Sequence, residues 1–432
     1  MRQIFICCLL FCSINSIVAQ DSTKTDYRFT LEDCITFAFA NSYTRQSMKL
    51  SEQSAKEVYD LSKYQRYPNL SASLSEGLNH SSSSTNWNGS YGLSSNVTLY
   101  QGGAITHTIE QNKLQASQAA IQTQQYDQGL VVQILQAFLT VLGNQELLNY
   151  QEAVVATSAE QLKQGEAKWE AGSIMESDYL LLKAQYATAQ SNIVNTKTTI
   201  VNSMITLKNL LSMDPLASVE IVYPDDQAID ALSLLPPQEV ALQRCIETSP
   251  SLKLSQSSID IANNGIQLAR AGYYPTLSLG GSVGTSHAPN YSDFGAQFSN
   301  NFNQRITLSL SVPLFDNFRT KSQVTQSKTA LMQAELNKKN QQLSVSQTLV
   351  QEYQNVISYY NQYRANNVSQ DAYYKTYMAY KAKFDVGAAT VVDLLQQQNN
   401  YLNALNGFIQ SKYGFLLNRK ILDVYMGEEI KL

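Results

Sequence analysis

The chain has 432 residues, of which 15% are charged, and a formal net charge of −4 at pH 7. Globular domains usually carry about 25% charged residues, and a weakly acidic chain without a basic patch is not expected to bind nucleic acid. The histidines, His80, His107 and His287, lie far apart in sequence and have no carboxylate or thiol at ligand spacing. The sequence therefore predicts no enzyme active site, no metal site and no cofactor.

The first residues follow the pattern of a secretory signal peptide, predicted at residues 1–19. Arg2 precedes an apolar stretch from Ile4 to Phe11, and small residues at 16–19 suit a cleavage site. Beyond this segment no run of about 18 apolar residues occurs, so any membrane span must be a β-strand. Cys34 and Cys245 remain in the mature chain and are predicted to be small buried residues, with a disulfide between them as the alternative.

The mature chain contains a tandem duplication. Residues of the first copy recur 207 positions later up to Pro68 and 215 positions later from Leu99 onward. The matched pairs are Pro68 with Pro275, Leu99 with Leu314, Tyr100 with Phe315, Gly172 with Gly387, Asp178 with Asp393, and Tyr186 with Tyr401. The change of offset predicts one longer connection in the second copy. Each unit of about 200 residues is predicted as helix, strand, loop, strand, very long helix, turn, helix.

Helical periodicity without proline extends from Ile105 to Trp169 and from Ser322 to Phe384. These two helices of roughly 65 residues would each be roughly 100 Å long, which is typical of coiled coils. Four shorter helices are predicted to bracket them, at about 44–66, 174–211, 251–272 and 389–426. Because each shorter pair sums to the length of the long helix beside it, the pattern predicts a wall two helices wide per repeat.

Four strands are predicted between the helices, at about 69–78, 90–100, 276–284 and 304–315. From Arg305 to Phe315 the residues alternate between apolar and polar, which is typical of a transmembrane barrel with an apolar outside and a polar inside. A soluble sandwich, in which the apolar face covers a protein core, is the alternative. Polar loops are predicted at 79–90 and about 285–303, with the two loop histidines exposed to solvent.

Aromatic residues favour the membrane interpretation. The four aromatics at the helix-proximal strand ends would lie at one edge of the sheet, as an interfacial girdle requires. They are Tyr67, Tyr100, Tyr274 and Phe315. Four strands cannot close, and open edges are not tolerated in lipid. Three copies would give a barrel of about 12 strands within the known size range, so a homotrimer in the outer-membrane lipid is predicted.

The predicted organisation has four parts: the signal peptide at 1–19, repeat 1 at 20–212 with a helical hairpin at 102–211, an equatorial linker at 213–250, and repeat 2 at 251–432 with a hairpin at 318–427. The linker is proline-rich and contains a short helix from Gln238. Thr30 and Asp33 form a capping-box pattern that starts a similar short helix in repeat 1. These segments suggest a belt partway along the helices.

Two turn sequences carry a family resemblance. Residues 384–395, FDVGAATVVDLL, resemble the second inter-helix turn of TolC-like outer-membrane efflux proteins, and residues 171–178 resemble the first turn more weakly. Arg66-Tyr67-Pro68 and Tyr273-Tyr274-Pro275 resemble the helix-to-strand junctions of that family. The resemblance implies an α+β membrane protein: a trimeric 12-stranded outer-membrane barrel continued by a periplasmic α-helical coiled-coil barrel. Its partners would be a periplasmic adaptor and an inner-membrane pump.

The resemblance also implies roles for the two turns. The residues expected to contact the adaptor are Gly172, Ser173, Gly387 and Ala388, and those expected at a pore or gate are Asp393, Asp178, Gln396 and Phe384. Asp393 would form a cation-favouring ring, or a helix N-terminal charge stabilised by the dipole, and both interpretations remain open. Asp178 is predicted mainly as a helix cap. Phe384, Ala389 and Gln396 stand where the family has tyrosine, arginine and aspartate, so the usual polar latch is largely missing.

The function predicted from these features is a passive outer-membrane exit duct of a tripartite efflux pump for small molecules. The nearest alternative is the outer-membrane duct of a type I protein secretion system. An alternative of a different class is a non-conducting coiled-coil surface stalk, which predicts unbroken heptads and no alternation in the strands.

Overall fold

The computed structural model describes residues 27–81, 84–222, 235–288 and 294–428. The predicted signal peptide lies outside these ranges. The strands are β1 Tyr27–Phe29, β2 Ser71–Ser81, β3 Ser84–Gln101, β4 Val219–Ile221, β5 Thr276–His287 and β6 Asn303–Ser311. The helices are α1 Leu31–Asn41, α2 Tyr43–Lys63, α3 Ala104–Glu170, α4 Glu176–Leu210, α5 Gln238–Thr248, α6 Pro250–Arg270, α7 Phe294–Asn300, α8 Arg319–Asp385 and α9 Val391–Tyr425.

The duplication extends to the length of every paired helix. The pairs α1 and α5 have 11 residues each, α2 and α6 have 21, α3 and α8 have 67, and α4 and α9 have 35. The second copy differs by its longer connection between strands, which contains the seven-residue helix α7. The predicted long helices and the predicted longer connection are therefore confirmed.

The helices pack as the length argument predicted. Helices α2 and α4 both lie against α3, while α6 and α9 both lie against α8. Helix α3 also contacts α6 and α9, which joins the two repeats along their length. At about 1.5 Å per residue, α3 and α8 are each roughly 100 Å long.

A belt of short elements surrounds the middle of this helical bundle. Strand β1 pairs in parallel with β4, and Thr30 and Asp33 form the predicted capping box at the start of α1. The core beneath includes Ile134 and Phe138 of α3. Within the described residues, α3 is the one helix long and apolar enough to cross a membrane, with an 18-residue window of mean hydropathy 1.2 that is 50% buried. The apolar residues of α3 pack in the core beneath the belt, which accounts for the high hydropathy of this window.

The two cysteines of the described residues lie in the belt helices as free, buried thiols. Cys34 is on α1 and Cys245 on α5, so the disulfide alternative is wrong. Burial raises the pKa of Cys34 to about 12 and that of Cys245 to about 11, because a thiolate is poorly solvated in an apolar surrounding. Both residues serve as small apolar core groups.

The four long strands form one antiparallel sheet in the order β2-β3-β5-β6. The polar loop predicted at 79–90 is wrong, because strands β2 and β3 continue to Ser81 and from Ser84. Cross-strand hydrogen bonds, such as Asn79 to Asn88 at 3.1 Å, satisfy the polar side chains there. The ladder of paired residues therefore extends through most of the predicted loop, as far as Ser81 and Ser84.

The fourth strand is shorter than predicted. It ends at Ser311, whose partner Thr276 is the first residue of β5, so no strand remains beside later residues. Pro313 also has no N–H to donate to a ladder. Phe315 consequently lies beyond the strand, with its side chain 73% exposed.

Candidate functional site

The two repeats each return at a turn far from the sheet, and both turns have the same backbone geometry. Gly172 has φ 71° and Gly387 has φ 77°, a left-handed conformation that side chains rarely adopt. The N–H of Ser173 donates to the carbonyl of Lys168 at 2.8 Å, and that of Ala388 to the carbonyl of Lys383 at 2.7 Å. These are Schellman ends of α3 and α8. The segments 171–175 and 386–390 are called the tip below.

Only the second turn has a capping box. The Thr390 hydroxyl donates to Asp393 Oδ2 at 2.7 Å, and Asp393 N–H donates to Thr390 Oγ1 at 3.1 Å. The Thr390 hydroxyl, followed by its backbone N–H, lowers the pKa of Asp393 below its ordinary value. In the first turn Met175 occupies the equivalent position and caps nothing. The prediction that Asp178 caps its helix is therefore wrong, since a capping box needs a hydroxyl at that position.

A contact between the two hairpins, here called the latch, lies beside the tip. The Lys168 ammonium, on the last turn of α3, donates to the carbonyl of Phe384 at 2.7 Å and lies 4.1 Å from the centre of the Phe384 ring. A cation at the C-terminus of α8 is favoured by the helix dipole, and the ring face attracts it as well. Phe384 is 2% exposed, so it lies between the hairpins and not at a pore surface as predicted.

Above this latch the hairpins meet along a partly polar contact, here called the seam: Ser158 and Gln161 of α3, Tyr377 of α8, and Gln398 and Tyr401 of α9. Gln161 donates to the Tyr377 hydroxyl and Gln398 to Ser158 Oγ, both at 3.2 Å. Burial raises the pKa of Tyr377 to about 12. The Oε1 atoms of both glutamines are buried and have no hydrogen-bond partner among the described residues. A buried amide oxygen of this kind costs about 1–3 kcal/mol, so the seam is a weak contact.

The remaining predicted tip residues lie on the surface. Asp393 and Gln396 share the exposed face of α9, where Gln396 donates to Asn400 at 3.1 Å. Asp178 is half-buried beside the first turn. The side chains that join the hairpins thus differ from the acidic residues that the sequence pattern pointed to.

At the other end of the molecule the sheet has one apolar and one polar face. The apolar face includes Leu74, Leu93, Val283 and Ile306, and in the single chain Ile306 is 85% exposed. A bulge between Thr98 and Tyr100 brings Tyr100 onto this face opposite Leu277. The predicted girdle residues Tyr67, Tyr100, Tyr274 and Phe315 are all exposed.

The outer end of the apolar face carries a polar cluster. His287 is buried against Glu76, with Nε2 3.1 Å from the carboxylate, so its prediction as a solvated loop residue is wrong. Tyr91 also hydrogen-bonds Glu76, and the Trp87 ring lies 5.3 Å from that of His287. Helix α7 covers this cluster by placing Phe298 5.6 Å from Tyr91.

Comparison with known proteins identifies the family. The model of the outer membrane efflux protein family matches residues 37–212 and 241–428. The chain belongs to this family. This is a family of channels and not a family of enzymes. Among the described residues no three His, Cys, Asp or Glu side chains are grouped to hold a metal ion.

Individual relatives agree with the family match. The outer membrane protein TolC of Escherichia coli is 26% identical over 324 residues, which are 71% of this chain and 63% of TolC. The alkaline protease secretion protein AprF of Pseudomonas aeruginosa is 22% identical and covers 69% of this chain and 62% of AprF. The match thus spans less than two thirds of each relative. A solved structure of CusC has a TM-score of 0.79 at 17% identity, covering 92% of each chain, and shares the fold.

Within this efflux-protein fold, sequence reasoning missed Lys168. Lys168 and Lys383 are equivalent in the duplication, yet Lys383 lies 5.0 Å from the ring of Tyr380 on its own helix. A basic residue in the last turn of each long helix was therefore the available signal. It did not indicate which lysine reaches across to the other hairpin.

Proposed function

We propose that the chain is the outer-membrane exit duct of a tripartite efflux system and that it acts as a homotrimer. The main support is the four-stranded sheet. Within the described residues its edge strands β2 and β6 have no partner on one side, and one face of the sheet is apolar. Backbone groups at an open edge cannot be left unpaired in lipid. Pairing β6 of each copy with β2 of the next closes a barrel of about 12 strands, whereas two copies would give about 8 strands and a lumen filled by side chains.

The apolar face has the height of a membrane. Along β3 nine residue steps separate Tyr100, at the helix-proximal end, from Tyr91 in the outer cluster. At about 3.3 Å per residue and a strand tilt of about 40°, this distance is roughly 23 Å along the membrane normal, close to the ~25 Å apolar band of outer-membrane barrels. Tyr100 would thus mark the inner membrane surface, and Trp87, Tyr91 and Glu76 the outer one.

The helices would extend the lumen into the periplasm by roughly 100 Å. In this arrangement residues 20–212 and 251–432 form two pseudo-equivalent wall segments, joined by the equatorial segment 213–250. The tip residues Gly172, Ser173, Gly387 and Ala388 would face the periplasmic adaptor of an inner-membrane pump. Transport is passive in the duct itself, and the chain catalyses no reaction.

The tip is proposed to close the lumen through the latch and the seam. Lys168 ties α3 to the end of α8, while Asp393, Asp178 and Gln396 line the rim. Because the seam contains unpaired buried amide oxygens, its closed form is only modestly favoured. An adaptor that binds the turns can therefore shift the equilibrium towards an open form with a small differential affinity.

The test compares lysine substitutions at adjacent positions of β6 that lie on opposite faces. Ile306→Lys puts a charge on the apolar face, which costs about 2–4 kcal/mol near the bilayer midplane, whereas Thr307→Lys puts it on the polar face. Wild type and Thr307→Lys are expected to form heat-resistant trimers that conduct in planar bilayers, and Ile306→Lys is expected not to insert. A monomeric wild-type protein without conductance, or equal insertion of both variants, would refute the proposal.

A duct for secreted polypeptides is the second candidate, and the similarity to AprF supports it. Co-purification with an inner-membrane transporter of the protein-exporting class would favour it over a small-molecule pump. The coiled-coil stalk alternative fits poorly, because the strand faces alternate and both hairpins turn at glycine.

A further inference from the structure

The polar face of the sheet is almost free of charge. Its described positions are Ser, Thr, Asn, Gln and Gly, with one exception, Arg305 of β6. The pairing register places Arg305 opposite Ser282, which is opposite Ser94, which is opposite Ser71. A neutral hydroxyl surface therefore surrounds a single guanidinium group.

The other ionisable groups on strands β2, β3, β5 and β6 lie on the opposite face. Glu76 pairs with Gly89, and Gly89 with His287, in the register of the apolar face. His80 shares that face, since it is four residues from Glu76 on β2. Among the described residues of strands β2, β3, β5 and β6, no carboxylate therefore shares the polar face with Arg305.

Arg305 is also outside the duplicated pattern. Its counterpart 215 positions earlier is Ser90, which lies on the same polar face of β3. The second copy thus carries a charge that the first copy lacks. In a trimer this gives three charges around the lumen instead of six.

We propose that Arg305 forms a ring of three positive charges in the lumen of the barrel and that this ring attracts small anionic solutes bearing carboxylate, phosphate or sulfate groups. The proposal rests on the trimeric duct proposed above. Arg305 is six residues from the end of β6 at Ser311, which is roughly 15 Å along the membrane normal for a strand tilt of about 40°. The ring therefore lies near the middle of the membrane.

The size of the lumen makes such a ring effective. With strands about 4.8 Å apart and tilted by about 40°, a barrel of about 12 strands has a backbone radius of roughly 12 Å. The arginine side chains project into this space, and the Debye length is about 8 Å at physiological ionic strength but only about 3 Å at 1 M salt. Rings of arginine favour anions in pores. Their field should reach across the lumen at physiological salt and vanish at high salt.

The test measures reversal potentials of purified full-chain trimers in planar bilayers under a KCl gradient, at low ionic strength and again near 1 M salt. Arg305→Gln removes the charge, Arg305→Lys keeps it, and Ser90→Arg adds three charges at the equivalent position. At low salt Arg305→Gln is expected to shift the reversal potential towards cation preference, Arg305→Lys to leave it unchanged, and Ser90→Arg to shift it towards anion preference. Near 1 M salt the reversal potentials of all three variants should equal that of wild type.

Two failures are distinguishable. If Arg305→Gln forms conducting trimers with the wild-type reversal potential at low salt, the ring proposal is wrong while the duct stands. If wild-type protein forms no conducting trimer, the duct is wrong and the ring with it. If Ser90→Arg fails to assemble, the comparison of Arg305→Gln with Arg305→Lys still tests the ring proposal.

Discussion

Removing the Lys168 ammonium should open the tip. Lys168→Met keeps the length and much of the apolar stem of the side chain but removes the hydrogen bond to the Phe384 carbonyl and the contact with its ring. A hydrogen bond to a charged group contributes about 1.5–3 kcal/mol and a cation–π contact about 0.5–2 kcal/mol. Because both involve one ammonium and are not additive, we expect about 2 kcal/mol per protomer.

Three protomers multiply this effect. If the tip opens with all three latches broken, about 6 kcal/mol of closed-state stabilisation is lost, and at 1.36 kcal/mol per factor of ten the ratio of open to closed rises by roughly four orders of magnitude. Single-channel recordings in planar bilayers should then show long openings of high conductance in place of brief ones.

The matched control is Lys383→Met. Lys383 is the equivalent residue of the second repeat, and its ammonium lies over Tyr380 of the same helix, so the contact that its loss removes lies within one hairpin. Its openings should match those of wild type. Wild-type behaviour of Lys168→Met, or equal opening by both variants, would contradict the latch.

Three further predictions concern the seam, the tip cap and the membrane boundary. Ser158→Ala alone should lower the dissociation temperature of the trimer, because it leaves the Gln398 amide without its partner. Ser158→Ala combined with Gln398→Met should instead be neutral or stabilising, within about 1–3 kcal/mol. An equal loss of stability in the single and the double variant would contradict this prediction. Because the pKa of Asp393 is lowered in the folded protein, its cap stabilises the tip above the unfolded pKa, and this stabilisation is lost as pH falls through the folded pKa. Thr390→Ala should raise the Asp393 pKa towards its ordinary value in a carboxyl NMR titration. An unchanged titration would count against the capping box. With the other tryptophan changed to phenylalanine, Trp87 fluorescence should be quenched more by lipids brominated near the headgroup than by those brominated near the chain end, and the reverse order would misplace the outer boundary.

The helical architecture could be predicted because its signals are local. Proline-free apolar periodicity predicted the two long helices to within a few residues, and the glycines at 172 and 387 predicted the turns. The change of offset between the copies predicted the longer connection, which contains α7. Each of these depends on residues close together in the chain.

Features that depend on distant partners could not be predicted. Lys168 and Phe384 are 216 residues apart, and nothing local tells Lys168 from its equivalent Lys383. The sequence predicted His287 in a loop, whereas the strand register places it beside Glu76, 211 residues away. Strand β6 ends at Ser311 because its partner there, Thr276, is the first residue of β5. In each case the deciding contact lies in another repeat or strand.

The equal helix lengths of the two repeats also restrict how such a chain can change. One inserted residue in α3 or α8 would rotate all later side chains by about 100° and displace one turn from the other by about 1.5 Å. The latch and the seam would then lose their partners together. The strand connections at the outer rim carry no such constraint, and the eight additional residues of the second copy lie there. Insertions and deletions should therefore be tolerated at the outer surface, while the helical length can change only in both repeats at once.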